Sequence, residues 1–329
     1  MGELLFPIAA IFLTLLIVVV SSALSLAVLK NKRQKGSLTG FGSETTFAWL
    51  VAPTLIPLTW LVSSAIHQIE PREFVDLCLV DHGIEGCTDS MLLVGFLVAG
   101  IVGLVGYRLW REMPRPNYEV LDPGDLALRR VQSIISADER LRTLKVDVVH
   151  HSPEPVYTYG FLKPRVVIDA CFVCHADDAM LRAALLHEHA HIKSRDTFRN
   201  FLVRLTLAIS PLGKYLRREF ELWRTAREAV CDREAVHHGG DPLALAEGIL
   251  NAARFRCENP EPSLVALTGA GSALKLRLAL LLHGDERLSS GPGYRACLIL
   301  ALLAMCIPHV DNLGVLDYVH VSVEQLLHL

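Results

Sequence analysis

The chain has 329 residues, with 32 basic and 35 acidic side chains and a formal charge of −3. That balance leaves no electrostatic footprint for nucleic acid. Hydrophobic residues make up 51% and charged ones 20%, which excludes disorder as the main state. The apolar residues are gathered into long charge-free runs, which also excludes an ordinary water-soluble globule.

The first run, Leu4 to Leu29, carries no charge and exceeds the roughly 20 residues that a helix needs to cross the hydrocarbon. A signal peptide fits it less well, because no basic segment precedes it and the stretch is too long. The second run, Phe47 to Ile66, contains Pro53 and Pro57, which spanning helices tolerate and which often kink them. The third starts at Met91 and is followed by Arg108, Arg111 and Arg115. A late run, Ala296 to Val310, becomes long enough for a fourth span when extended on either side.

These runs divide the chain. Residues 1–110 hold three transmembrane helices at about 4–29, 47–66 and 91–109, residues 111–292 form a water-facing domain, and residues 293–329 form the fourth span and a short tail. Lys30, Lys32, Arg33 and Lys35 make the first loop basic, whereas residues 67–90 hold Glu70, Glu73, Asp76, Asp81, Glu85 and Asp89 against Arg72. The positive-inside rule then places the N-terminus and residues 67–90 outside, the domain 111–292 in the cytoplasm, and the tail outside. Cys78 and Cys87 fall in the outer loop, where an oxidising compartment permits a disulfide between them. Cys171 and Cys174 have the spacing of a zinc or redox pair. With no second pair nearby, small buried thiols at a strand end are the stronger reading.

Within the inner segment, Asp125 to about Arg140 has helical periodicity, and Leu144–Val149, Val156–Tyr159 and Arg165–Asp169 read as short strands. Gly160 to Pro164 reads as a turn. Asp177 is an N-cap for a helix that runs through His187, Glu188, His189, Ala190 and His191 to about Ser194. Residues four apart share a helical face, so His187 and His191 can meet one metal, and Glu188 can reach water in its open coordination position. His189 points elsewhere. A second helical pattern, about Arg218 to His237, carries Glu228 and Asp232. Glu228 can supply the third ligand, and Asp232, one turn on, can hold a ligand histidine through its second nitrogen. Taken alone, each acid reads better as part of a solvated helix face. The apolar stretch between them is too short to cross, and a crossing would separate Glu228 from His187. It is therefore expected as a membrane-associated helix at about 199–213, amphipathic or re-entrant, with Lys214, Arg217 and Arg218 near the headgroups.

Val156–Asp169, the His187–His191 segment and the Glu228–Asp232 segment together resemble the membrane zinc metallopeptidases of the beta-lactam-sensor and methicillin-resistance-sensor type, peptidase family M56. The M48 membrane proteases share the plan. The resemblance implies an α-helical membrane protein with a cytoplasmic α+β zincin-like domain, lodged in a bacterial inner membrane. It implies one zinc ion per chain held by His187, His191 and Glu228, with Glu188 as general base and acid. Tyr159 and Gly160 would lie at the edge on which a substrate strand is laid. Arg227, His189 and Tyr157 are open choices for stabilising the developing oxyanion. The implied partners are a protein or peptide substrate, such as a cytoplasmic transcriptional repressor, the lipid bilayer, and a separate sensor protein. Only about 18 residues follow the last run, so the sensors' penicillin-binding domain has no room and a beta-lactam receptor role is not expected. The competing class is a catalytically silent signalling or scaffold protein that retains the fold, against which the intact Glu188 argues. A transporter would need intramembrane polar pairs that the first three runs lack. The segment 274–282 is expected as a surface helix leading to the last span.

Overall fold

The computed structural model describes residues 5–35, 41–42, 44–67, 84–111, 120–122, 124–152, 154–160, 162–258 and 270–283. The fourth apolar run, the outer loop with Cys78, and the side chain of Cys87 lie outside the described residues. The fold is mostly α-helical with one small mixed sheet.

Three long helices come first: α1 (Leu5–Lys35), α2 (Glu44–His67) and α3 (Ile84–Arg111). Each covers an apolar run and continues into its polar flank. The stretch Thr14–Gln34 is long and apolar enough to cross a bilayer. The two prolines of α2 explain part of the packing. Pro57 has no N–H for the carbonyl of residue 53, and Pro53 has none for that of residue 49. Serine hydroxyls of α1 donate to both orphans: Ser21 Oγ to the Pro53 carbonyl at 2.9 Å, and Ser25 Oγ to the Trp49 carbonyl. The carbonyls that the prolines of α2 leave without a helical donor are thus satisfied by the neighbouring helix.

Helix α4 (Leu126–Ala137) begins on Asp125, whose carboxylate accepts from the Ala127 N–H. Strands β1 (Val146–Val149), β2 (Val156–Tyr159) and β3 (Arg165–Asp169) follow in the order β1–β3–β2. β1 runs parallel to β3, with Val146 opposite Val166, and β2 runs antiparallel to it, with Val156 opposite Ile168. β2 is therefore an edge strand. A short helix α5 (Ala170–His175), capped by Asp169, departs directly from β3. It was not foreseen, because six residues are too few for a periodicity to show. Cys171 and Cys174 lie on it as free, exposed thiols rather than buried ones.

Helix α6 (Asp178–Ser194) starts on Asp177, which accepts from the Met180 N–H, and ends at Arg195. Arg195 adopts a left-handed conformation, φ 53°, and its N–H bonds back to the His191 and Ile192 carbonyls. This single residue redirects the chain into α7 (Asp196–Ile209). α7 and α8 (Gly213–His237) form a hairpin. Its tight turn needs glycine at 213, where a Cβ would stand 1.9 Å from the Leu207 carbonyl oxygen. The chain then enters α9 (Pro242–Glu258), capped by Asp241, and α10 (Ala270–His283).

Two cores result. Leu128, Val131, Val148, Val166, Ile168, Leu181, Leu185 and Leu186 tie α4, the sheet and α6 together. Leu29, Phe47, Leu50, Val203, Leu216, Phe220 and Trp223 tie α1 and α2 to the α7–α8 hairpin. Arg33 pairs with the buried Glu219 at 2.6 Å, and Ser22 Oγ lies 3.3 Å from Ser210 Oγ at the end of α7. α7 thus buries its apolar face against the N-terminal helices. α8 passes from one core to the other, with Ala226 in the second core and Ala235 in the first.

Candidate metal centre

Glu228 and Asp232 fall where α8 changes cores, opposite the histidine face of α6. Nε2 of His187 and Nε2 of His191 lie 3.1 Å apart. Glu228 Oε2 is 3.5 Å from the former, and its Oε1 is 3.6 Å from the latter. One ligand atom from each of the three residues lies within 4.8 Å of the others. The helical i,i+4 spacing aligns the imidazoles, and only the packing of α8 on α6 brings the carboxylate to them.

Each histidine presents its second nitrogen to a carboxylate. Asp232 Oδ1 stands 2.9 Å from His187 Nδ1, and Asp196 Oδ2 stands 2.9 Å from His191 Nδ1. A carboxylate facing Nδ1 favours the proton there and leaves Nε2 as the lone-pair donor. Sequence reading missed Asp196. Its only signal was position just past the motif helix, and the left-handed Arg195 is what folds it back. Asp196 is itself buried and pairs with Arg227 at 3.0 Å, with Arg199 completing a link to Glu44 at the start of α2. Arg227 is therefore engaged with Asp196.

Glu188 is buried, and the Thr158 hydroxyl of β2 donates to its Oε2 at 2.6 Å. This places the edge strand directly beside the motif helix. Tyr159 ends that strand with its hydroxyl 3.4 Å from Asp147, and Gly160 follows with φ 78° and a carbonyl that accepts from Thr197 Oγ1 at 2.9 Å. A side chain at 160 would be strained by that φ. His189 lies on another face of α6, near Lys193 and His238.

The segment 274–282 is helical as α10, but its role differs from the expected surface helix. Arg277 turns into the site and pairs with Asp232 at 2.7 Å and Glu228 at 3.2 Å. An arginine between leucines gives no sequence signal of this kind, because its acidic partners, Asp232 and Glu228, lie 45 and 49 residues away.

The electrostatics follow from burial and pairing. Burial lowers the proton affinity of His187, but Asp232 and Glu228 outweigh it and the imidazole is held above its ordinary value. For His191 burial is outweighed further by Cys231, Glu228 and Asp196, and it lies well above. Burial raises the Glu228 carboxyl, but His191 and Arg277 dominate and hold it well below the usual range. Asp232, buried and paired with Arg277 and His187, is also held down.

Two imidazole nitrogens and one carboxylate, converging with outer carboxylates behind both rings, fit a zinc ion with an open position. A mostly helical domain thus brings this donor set together on two packed helices as a candidate metal centre. The chain belongs to the BlaR1 peptidase M56 family, whose model matches residues 89–281. The match takes in most of α3, the sheet, the motif helix and nearly all of α10. No curated protein matches the chain.

Proposed function

We propose that the protein is a membrane-bound zinc endopeptidase that cleaves a protein substrate at the cytoplasmic face of the bilayer. The observation that carries this reading is the convergence of His187, His191 and Glu228 within 4.8 Å, with the Glu188 carboxylate buried beside them. His187, His191 and Glu228 hold the zinc, which when bound supplies Lewis-acid polarisation of the scissile carbonyl and acidifies water. Glu188 accepts the proton of the attacking water and returns it to the leaving amine. Thr158 keeps the Glu188 carboxylate turned toward the site through its 2.6 Å bond. β2 pairs with β3 along one edge, and its other edge is free of strands among the described residues. A substrate strand added there lies about 4.8 Å from β2 and passes alongside Glu188, with Tyr159 and Gly160 at its end.

The membrane part of the reading rests on exposure. Phe12, Leu15, Leu16, Val20 and Leu24 of α1, and Phe96, Leu97, Ile101 and Leu104 of α3, are exposed large apolar side chains. So wide an apolar surface suits lipid rather than water, with Tyr107 and Trp110 placed as interfacial aromatics. α7, packed on these helices, is the membrane-associated helix, amphipathic or re-entrant. A repressor-like cytoplasmic protein is the proposed substrate class, with sensing left to another protein.

The test compares the purified parent with Glu188→Gln. Both are expected to carry about one zinc per chain, and only the parent is expected to cleave a casein or peptide-library substrate. Equal cleavage by the two would overturn the mechanism.

A further inference from the structure

Among the described residues, Arg277 is the one cation that pairs with the ligand Glu228 from outside the two helices bearing the proposed metal ligands. It sits on α10, and its guanidinium forms a fork on Asp232, with Nε 2.7 Å from Oδ2 and Nη2 2.8 Å from Oδ1. The remaining nitrogen, Nη1, lies 3.2 Å from Glu228 Oε2. Its side chain is only 16% exposed, whereas Lys275 on the same helix is exposed. Burying a guanidinium is costly unless carboxylates surround it, and here two do.

Glu228 needs such a partner. Its side chain is 39% exposed, and its contacts to the histidines are long, at 3.5 and 3.6 Å. A glutamate on a half-open helix face samples several rotamers, of which few point at the histidines. Asp232 is the opposite case: it is 2% exposed and already faces His187 Nδ1. One guanidinium therefore joins a ligand carboxylate to the carboxylate that orients a ligand histidine.

We propose that Arg277 is a positioning residue of the metal centre, holding Glu228 in its ligating rotamer and Asp232 against His187, so that the site is complete only while α10 is docked on α8. The inference rests on the reading of His187, His191 and Glu228 as zinc ligands. It has a sign that simple electrostatics does not share. A cation 3.2 Å from a ligand oxygen repels a divalent ion, so charge alone predicts tighter zinc binding when it is removed. Positioning predicts weaker binding.

The experiment measures zinc affinity of the full-length protein in detergent by chelator competition, and the visible absorption of its cobalt-substituted form. Arg277→Gln is expected to bind zinc roughly 10–100-fold more weakly, the usual cost of losing an outer partner, with an altered cobalt band. Arg277→Lys restores the charge without the fork and should fall between the two; it also serves if the glutamine variant does not fold. Lys275→Gln should match the parent. Parent-like or tighter binding in Arg277→Gln, or parent-like affinity and spectrum in Arg277→Lys, overturns the proposal. A parent that binds no zinc overturns the underlying metal reading, and this inference with it.

Discussion

Three carboxylates at the site differ in what they face. Glu188 meets a hydroxyl, Glu228 meets two imidazoles and a guanidinium, and Asp232 meets one of each cation type. Removal of Glu228 leaves two histidine donors, so Glu228→Ala should lose most of its zinc on dialysis while the fold persists. Metal analysis beside circular dichroism checks this, and full occupancy would mean that another residue is the third ligand. The histidines give a pH dependence of known sign. Their folded proton affinities are raised above the ordinary value of about 6.5. In the metal-free protein their contribution to stability is therefore complete below about pH 6.5 and is lost as pH rises through the raised values. A zinc ion at these nitrogens, as proposed, would compete with those protons and bind better as they leave. The melting temperature of the metal-free protein should fall from pH 6 to pH 8, and the increment produced by zinc should grow over the same range. An increment that shrinks with pH would contradict the ligand assignment.

At the scale of elements, the α1–α2 pair shows how local rules are obeyed by distant partners. Two prolines free the carbonyls of Trp49 and Pro53, and Ser25 and Ser21 supply the missing donors. Leaving a buried carbonyl unpaired costs about 1–3 kcal/mol. Ser25→Ala should therefore lower the thermal stability of the protein in detergent measurably, since Ser25 is fully buried. A Ser25→Ala protein as stable as the parent would show that the carbonyl finds another donor. The α6–α7 junction works similarly, with one left-handed residue storing about 1–3 kcal/mol of strain. That strain is offset by bringing Asp196 to His191 and Thr197 to the Gly160 carbonyl.

On the scale of the whole molecule, the second core makes the N-terminal helices and the site helices one body. The series Glu44, Arg199, Asp196 and His191 runs from the start of α2 to a candidate metal ligand through contacts of 2.6, 3.7 and 2.9 Å. The proposed topology puts α2 across the bilayer, so this series would connect the membrane region with the metal. Reporter fusions test the arrangement. A fusion at residue 80 should be active only outside the membrane and one at residue 150 only inside. The reverse pattern would invert the proposed orientation and place proteolysis on the other face.

The sequence by itself determined what depends on near neighbours. The three strands, the Asp177 cap, and the pairing of His187 with His191 all follow from periods of two or 3.6 residues, which local backbone geometry enforces. The first three apolar runs became α1, α2 and α3 for the same reason. The apolar runs carry no record of which serine serves which proline. Likewise, only the packed helices decide that Thr158 meets Glu188 across 30 residues, that Asp196 turns back on His191, and that Arg277 reaches Asp232 across 45. These contacts join elements whose own patterns are complete without them. Long-range pairing leaves no periodic trace in a single chain, so the candidate donors His187, His191 and Glu228 were legible while the groups packed around them appear only once the helices are packed together.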